Sequence, residues 1–238
     1  MSYNHPLVFL MAHGGGQGTL EGVLPTWQRQ VASIGGCSRI VVASPRDDPV
    51  WKVPGDRRFA APTYLCAGLQ EHWGLKAHAR MLEYCNLVGN MLGADGCDSV
   101  WLTEYDSMVL GGELPFLGST EDCMRGFRVE NVDSHGCKIE KQFTAKVYFH
   151  WPFWFSRESF FRFNTEFQKM LGCPEFGLAD RTTALAIERA NLRTIPTNDI
   201  AFTRNFISSD MVLQLLLDLD KGIKLVHGFK NERRKGLT

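Results

Sequence analysis

The chain has 238 residues, 44% of them hydrophobic and 22% charged, which is typical of a globular protein with a sizeable core. The 26 basic residues balance the 26 acidic ones, so nucleic acid is not expected as the main partner. The seven cysteines include no CxxC pair, which argues against a zinc site and a disulfide framework. No apolar run reaches membrane-spanning length, and we expect a cytoplasmic protein without a transmembrane segment.

The first motif is that of a nucleotide-binding unit. Pro6 to Ala12 is a continuous apolar run, typical of a buried parallel strand, and His13 to Gly18 follows as a glycine-rich turn. Apolar residues then recur with helical spacing and mark one helical face, formed by Leu20, Val23, Leu24, Trp27 and Val31. Because glycines let backbone amides approach closely at a helix N-terminus, this turn is suited to a phosphate or a ribose.

Two more specific motifs do not fit this glycine turn. A dinucleotide fingerprint, GxGxxG, requires a third glycine where the chain has Thr19 or Glu21, depending on the register. An esterase oxyanion loop would require a GxSxG nucleophile elbow, which the sequence lacks. Ordinary turn chemistry remains the simpler interpretation beside nucleotide binding.

Polar residues follow the next predicted elements. Ser38 to Ser44 predicts a second strand, after which Asp47 and Asp48 can accept hydrogen bonds from a ribose or a base, or can simply form a proline-bounded turn. Gly74 to Leu92 predicts an amphipathic helix. Lys76 and Arg80 lie one helical turn apart near its start, where they could neutralise a diphosphate or remain solvated surface cations.

The segment Val100 to Ser107 is the centre of the predicted site. Its first four residues are apolar or β-branched, as in a strand buried on both faces, and Glu104 and Asp106 follow at once. Ligands bind at this edge of a twisted α/β sheet. On an extended chain Glu104 and Asp106 would face one way and Tyr105 the other, so the two carboxylates could bind a hard divalent cation. The alternative is a pair of solvated loop acids.

These elements alternate as β-α-β-α-β, which predicts an α/β fold with a mostly parallel central sheet flanked by helices. We expect one domain over residues 1–238. In the second part, aromatic residues are dense from Lys146 to Phe163. Trp151 and Trp154 are predicted to form a stacking platform for a sugar, although aromatic residues also simply fill cores.

Two further polar residues occupy notable positions. Asp180 precedes a predicted helix from Arg181 to Asn191, where it can be an N-cap or an ionised base. His227 ends a short apolar strand that begins at Ile223, a position at which a histidine is usually structural.

The order of these motifs resembles the glycosyltransferases of the GT-A fold. Glu104-Tyr105-Asp106 is similar to the metal-binding DxD of that family, with Asp106 as its last acid and Glu104 in place of the first. Val226-His227-Gly228 is similar to the segment with a late histidine that completes the metal shell in some members. Asp180 matches the acid that serves inverting members as general base, although Ala179 stands where another acid often precedes it.

The donor contacts also have counterparts in this family. Ala12 and His13 resemble the opening nucleotide contact, Asp47 or Asp48 the acid that reads the base or ribose, and the Lys76 to Arg80 helix the basic helix near the diphosphate. The resemblance implies an inverting transfer from a nucleotide sugar, such as a UDP- or GDP-sugar, to an acceptor hydroxyl, with Mn²⁺ or Mg²⁺ as cofactor. It also implies that residues 1–107 bind the nucleotide sugar, with Glu104 and Tyr105 among the donor contacts, and that residues 108–238 bind the acceptor.

Two alternatives remain open at the sequence level. One is a nucleotide-sugar or carbohydrate-binding module without turnover. It is consistent with Glu104 in place of the first acid of the DxD motif and with the neutral Ala179 where the family often has an acid. The other is a sugar nucleotidyltransferase, whose glycine-rich loop usually carries a basic residue for the triphosphate. Gly14 to Gly18 contains no such residue, which lowers this option.

Overall fold

A computed structural model describes residues 6–11, 17–34, 39–43, 73–94, 96–111, 121–130, 147–170, 179–197, 200–202 and 222–227. The first part follows the predicted alternation of strands and helices. Its elements are β1 (Pro6–Met11), α1 (Gln17–Ile34), β2 (Arg39–Ala43), α2 (Trp73–Ala94) and β3 (Ser99–Glu104). The long helix α1 begins three residues before the predicted Leu20, so Gln17 and Gly18 belong to the helix and not to the glycine turn.

In the described residues of the second part there are six strands and two helices. The strands are β4 (Met108–Val109), β5 (Met124–Glu130), β6 (Val147–Ser156), β7 (Thr194–Pro196), β8 (Ile200–Phe202) and β9 (Leu225–His227), and the helices are α3 (Arg157–Gln168) and α4 (Ala179–Arg189). Helix α4 begins two residues before the predicted Arg181. Asp180 therefore lies inside the first turn of the helix.

Six of the described strands form a central sheet in the order β2-β1-β3-β6-β5-β7. Strands β1, β2 and β3 pair in parallel, as do β5 and β7, whereas β6 is antiparallel to both β3 and β5. Among these six strands only β6 runs in the opposite direction, from the end of β3 back towards its start. This sheet confirms the predicted fold class, an α/β fold with a mostly parallel central sheet.

Register defines two edges of this sheet. Met11 pairs with both Ala43 and Glu104, so β1, β2 and β3 end side by side at what we call the carboxyl edge. At the opposite edge, which we call the amino edge, Val100 pairs with Phe155, which in turn pairs with Met124. Ligands of open α/β sheets bind at the carboxyl edge, so the fold directs attention there.

The sheet is covered on both faces by apolar clusters. One cluster packs α2, α3 and α4 against alternate sheet residues such as Phe9, Leu102 and Phe155. The other packs α1, through residues that include Trp27, against Val8 and Trp101 on the opposite face. Successive strand residues point to opposite faces, which explains why β1 and β3 are apolar without alternation and why each cluster takes every second residue.

A second, three-stranded sheet lies beside the α1 face, in the order β4-β9-β8. Strand β4 pairs with β9 in antiparallel fashion, Met108 opposite Val226 and Val109 opposite Leu225. Val109 and Leu225 also belong to the cluster around α1, so this small sheet is anchored in the core. It holds β9 next to the segment that follows β3.

Candidate functional site

The acidic segment after β3 is a tight turn and not an extended strand. Strand β3 ends at Glu104, and the Ser107 amide donates a hydrogen bond to the Glu104 carbonyl at 3.1 Å. The prediction that Glu104 and Asp106 converge by strand alternation is therefore wrong in its premise, because alternation stops where the turn begins. Glu104 is partly exposed, whereas only 4% of Asp106 is exposed.

The turn lies directly at the carboxyl edge. The Tyr105 amide donates a hydrogen bond to the carbonyl of Met11, the last residue of β1, at 3.0 Å. Tyr105 was predicted to contact a donor, but its side chain packs in the apolar cluster around α1 and is 6% exposed. Its aromatic ring thus anchors the turn to the core, while Glu104 and Asp106 are the acids placed at the edge.

Side chains of helix α1 form hydrogen bonds with the backbone of the residues that follow Asp106. The indole N–H of Trp27 donates a hydrogen bond to the Ser107 carbonyl at 2.7 Å, and the Val109 amide donates one to the Thr26 hydroxyl at 3.1 Å. The same hydroxyl donates to the Val23 carbonyl at 2.6 Å. All of these bonds are buried, where a polar group without a partner would be costly.

The turn is also held by β3 and by the small sheet. The Thr103 hydroxyl donates a hydrogen bond to the Ser107 hydroxyl at 2.6 Å, and neither residue has exposed surface. Further along, the Leu110 amide donates to the Lys224 carbonyl at 2.9 Å, which continues the pairing of β4 with β9. The segment that carries Asp106 is thus fixed on three sides, by β3, α1 and β9.

His227 is brought next to this turn by the small sheet. Met108 lies opposite Val226 in the antiparallel ladder, so His227 occupies the position along β9 next to that rung, on the side towards Ser107. Two segments that are about 120 residues apart in sequence therefore run side by side at the carboxyl edge. The side chain of His227 lies outside the described part of the chain.

Two helices have their N-terminal ends directed towards the carboxyl edge, and these ends carry the predicted basic residues and the predicted general base. Helix α2 ends at Ala94, shortly before β3 begins at the amino edge, so its first turns, with Lys76 and Arg80, are directed towards the carboxyl edge. Helix α4 likewise ends shortly before Thr194, which pairs with Met124. Its first turn, with Asp180, has the same direction. The side chains of Lys76, Arg80 and Asp180 lie outside the described part.

One residue of the predicted aromatic platform, Trp154, is buried and was wrongly assigned to it. Trp154 has no exposed surface, and the Arg125 guanidinium lies over its ring at 5.7 Å from the centroid. A ring without an exposed face cannot stack on a sugar, so Trp154 is a core residue of the cluster around α1. Trp151 lies on β6, and its side chain is outside the described part, so its predicted acceptor contact stays a prediction.

Four predicted donor residues lie outside the described residues altogether: Ala12, His13, Asp47 and Asp48. Within the described residues, no group of three His, Cys, Asp or Glu side chains is arranged to hold a metal ion. The side chain of His227 is not among these residues. Among the helices that the structure describes, none is long and apolar enough to cross a bilayer.

The hydrogen-bonding partners of the acidic turn were not predicted from the sequence. Trp27 was assigned to the inner face of its helix because of its apolar spacing, which is correct, but Thr26 and Ser107 carried no signal. The bond between Trp27 and Ser107 spans 80 residues of sequence. No local pattern predicts such a pair, because it exists only once α1 has packed on the sheet.

No family model matches the sequence, and no curated protein is detectably similar to it. Comparison with solved structures does find similar folds. The bifunctional glycosyltransferase WbbM aligns over 100% of this chain with a TM-score of 0.56 and 11% identity. A glycosyltransferase involved in glycosylation of the major capsid of PBCV-1 aligns over 98% of this chain and 95% of its own, with a TM-score of 0.52 and 8% identity.

This chain spans 47% of the length of WbbM. Drosophila β1,4-galactosyltransferase 7, solved with xylobiose, is less similar, with a TM-score of 0.45 and 13% identity over 82% of this chain and 65% of its own. That likeness is too weak to carry over any detail of its site. At these identities the first two matches define an architecture and not an activity. By that architecture, the chain has a GT-A-like glycosyltransferase fold.

Proposed function

We propose that this protein is a glycosyltransferase that moves a sugar from a nucleotide-diphosphate sugar to an acceptor hydroxyl, with inversion at the anomeric carbon. The observation that carries the proposal is the nearly buried carboxylate of Asp106, fixed in a turn at the carboxyl edge where β1 and β3 end together. The likeness of the whole chain to two glycosyltransferases supports it at the level of the fold. Identity with them is low, so the chemistry must be argued from the residues.

The residues around the turn fit a divalent cation. Burial of a carboxylate is costly unless a cation or hydrogen-bond donors compensate it, and the acids Glu104 and Asp106 offer oxygen ligands of the kind that Mg²⁺ and Mn²⁺ prefer. His227, on the neighbouring strand, would add an imidazole. When bound, the cation would act as a Lewis acid that neutralises the charge of the departing diphosphate.

Other residues are assigned to the donor, the acceptor and the proton. Lys76 and Arg80, near the start of α2, would bind the diphosphate, and Ala12, His13, Asp47 and Asp48 would bind the base and ribose. Trp151 would stack on the acceptor. Asp180, in the first turn of α4, would accept the proton of the attacking hydroxyl, which requires hydrogen-bond reach of the acceptor.

Replacement of Asp106 tests the proposed metal site. We expect Asp106→Asn, which keeps the side-chain volume, to reduce Mn²⁺-dependent donor binding and transfer by about 100-fold or more, because it removes a charged ligand. Asp98→Asn removes one charge from an exposed acid just before β3, at the other end of the strand, and serves as the matched control. Full activity of the wild-type protein in chelator would contradict the metal assignment.

Replacement of Asp180 tests the proposed base. Asp180→Asn should leave the dissociation constant of the donor unchanged and lower kcat by about 100-fold or more, the contribution typical of general base catalysis. Glu188→Gln makes the same charge change at the exposed far end of α4 and should have no such effect. If transfer by Asp180→Asn is unimpaired, Asp180 is only an acidic residue in the first turn of the helix and not the base.

Donor turnover separates a transferase from a binding module. Hydrolysis and transfer of each nucleotide sugar that binds would be followed with and without Mn²⁺. A protein that binds a donor and turns over none of it would be a nucleotide-sugar-binding module, and pyrophosphate-dependent formation of nucleoside triphosphate would instead indicate a nucleotidyltransferase.

A further inference from the structure

We infer that Thr26 and Trp27 of helix α1 are positioning residues, which hold the turn with Asp106 in the conformation that binds the divalent cation of the donor complex. The inference rests on the proposed function, because it assigns a role to residues behind the proposed metal site. Neither residue contacts the substrate in this account. Each acts through the backbone of the segment that follows Asp106.

Ser107 is the residue through which Trp27 acts. Its amide donates to the Glu104 carbonyl at 3.1 Å, its carbonyl accepts from the Trp27 indole at 2.7 Å, and its hydroxyl accepts from Thr103 at 2.6 Å. Every polar group of Ser107 therefore has a partner. Because Asp106 and Ser107 share a peptide bond, these contacts restrict the backbone on the C-terminal side of Asp106.

Thr26 fixes the next point along the chain. The Val109 amide donates to the Thr26 hydroxyl at 3.1 Å, and that hydroxyl donates a hydrogen bond to the Val23 carbonyl at 2.6 Å. Thr26 is 8% exposed and Trp27 is fully buried, so water does not compete for either bond. Two consecutive residues of one helix thus hold two alternate residues, Ser107 and Val109, of the same segment.

The hydrogen bonds from Thr26 and Trp27 to the segment after Asp106 affect how tightly the turn binds a cation. A cation binds most tightly to a turn that already has the required shape. Its apparent affinity equals the intrinsic affinity multiplied by the fraction of molecules in which the turn has that shape. Bonds that only stabilise the fold would be lost with no effect on affinity at temperatures where the protein is folded. Affinity measured well below Tm therefore distinguishes positioning from stability.

The chain offers variants that remove one contact between α1 and the turn segment at a time. Trp27→Phe keeps a large ring and removes the N–H, and Thr26→Val keeps the shape and removes the hydroxyl. Thr26→Ser restores the hydroxyl as a conservative rescue. Val31→Ala is the matched control, since Val31 lies one turn further along α1 in the same apolar cluster and is not bonded to the turn by its side chain. It reports the effect of loosening the same core.

Two measurements are made on the folded proteins. Mn²⁺ is titrated by electron paramagnetic resonance, alone and with UDP or GDP present, and amide hydrogen exchange is followed at Ser107, Met108 and Val109. We expect Trp27→Phe and Thr26→Val each to raise the Mn²⁺ dissociation constant by about tenfold, the effect of losing one buried hydrogen bond. Exchange at these amides should accelerate, while Thr26→Ser and Val31→Ala keep wild-type affinity.

The possible contrary results are distinguishable. Wild-type affinity in Trp27→Phe and Thr26→Val, with a wild-type protein that binds Mn²⁺, would overturn the positioning role and leave the proposed function intact. An equal loss in Val31→Ala would also overturn it, because general loosening of the core would then suffice. A wild-type protein that binds no Mn²⁺ under any of these conditions would overturn both the positioning role and the metal-dependent function.

Discussion

Asp122 is the described residue at which pH and stability are most directly linked. Its carboxylate accepts hydrogen bonds from the hydroxyls of Ser159, at 2.6 Å, and Ser156, at 2.9 Å, and from the Arg162 guanidinium, at 2.6 Å. The bond from Ser159 contributes most, and together these contacts hold the pKa of Asp122 below its ordinary value, against the opposing effect of burial. Ser156 is also the N-cap of α3, so Asp122 supports the start of that helix.

We expect Asp122→Asn to destabilise the protein at neutral pH by about 1 kcal/mol or less, because the carboxylate is half-exposed and its ion pair is screened. A carboxyl group whose pKa is lowered by folding stabilises the protein above its unfolded-state pKa. That contribution is lost as the pH falls through the folded-state pKa. The difference in free energy of unfolding between wild type and variant, measured by urea denaturation, should therefore shrink on acidification.

Glu121→Gln is the control for this prediction. It removes the same charge from the neighbouring residue, whose carboxylate pairs with Arg125 at the surface at 3.2 Å. We expect it to change stability by less than about 0.5 kcal/mol at neutral pH. If the effect of Asp122→Asn were independent of pH, the ionised form of Asp122 would not be what stabilises α3.

For individual residues of the site, the sequence predicted some properties and not others. Glu104 and Asp106 were found from their place after an apolar strand, because strand composition is a local property. The predicted convergence of their side chains by strand alternation was wrong, because the strand ends at Glu104, two residues before Asp106, and a hydrogen-bonded turn follows. The burial of Trp154 could not be predicted either, since an aromatic residue in a strand can face the core or a ligand.

At the scale of elements, the packing of α2 against α3 offers a direct test. Gly89 lies in the interior of α2, where a Cβ atom would be 3.7 Å from side-chain atoms of both Asn164 and Phe161 on α3. These are ordinary van der Waals distances, so the added methyl group would fit. We expect Gly89→Ala to stabilise the protein by about 1 kcal/mol through helix propensity and the new contacts, measured as the free energy of unfolding.

Gly93→Ala separates the two contributions to this gain. Gly93 is in the same helix, and a Cβ atom there would have no neighbour within 4 Å. Its replacement should report the change of helix propensity near the helix end, about 0.5 kcal/mol or less. A loss of stability in Gly89→Ala would mean that α2 and α3 pack more closely than these distances indicate.

The elements themselves were predicted well where hydrophobic periodicity was strong. Helices α1, α2 and α4 lie where they were predicted and differ from prediction by a few residues at their ends. Helix ends depend on caps and on neighbouring loops, so a periodic pattern does not define them well. The pairing of β4 with β9 was not predicted, because two short strands far apart in sequence carry no local sign of their pairing.

For the whole molecule, donor binding should appear as a gain in thermal stability. A ligand that binds only the folded state at about 100 times its dissociation constant stabilises it by about 2.7 kcal/mol, which corresponds to a rise in Tm of roughly 5–10 °C for a chain of this size. We expect one class among UDP-, GDP-, CMP- and TDP-sugars to have this effect in the presence of Mn²⁺.

The control for this screen is the same set of ligands with Asp106→Asn, in which the Mn²⁺-dependent part of the shift should disappear. The class of nucleotide that raises Tm would identify the base of the donor. An absence of any shift in the wild-type protein, at millimolar concentrations of every class, would contradict nucleotide-sugar binding.

The sequence by itself determined the alternation of strands and helices, the apolar character of the central strands, and the presence of acids after β3, since composition and periodicity are local properties of the chain. Only the tertiary structure decided that these acids lie in a closed turn, that Thr26 and Trp27 hold it from behind, and that β9 brings His227 beside it. The physical reason is that a hydrogen bond between residues far apart in sequence forms only after the sheet and its helices have packed.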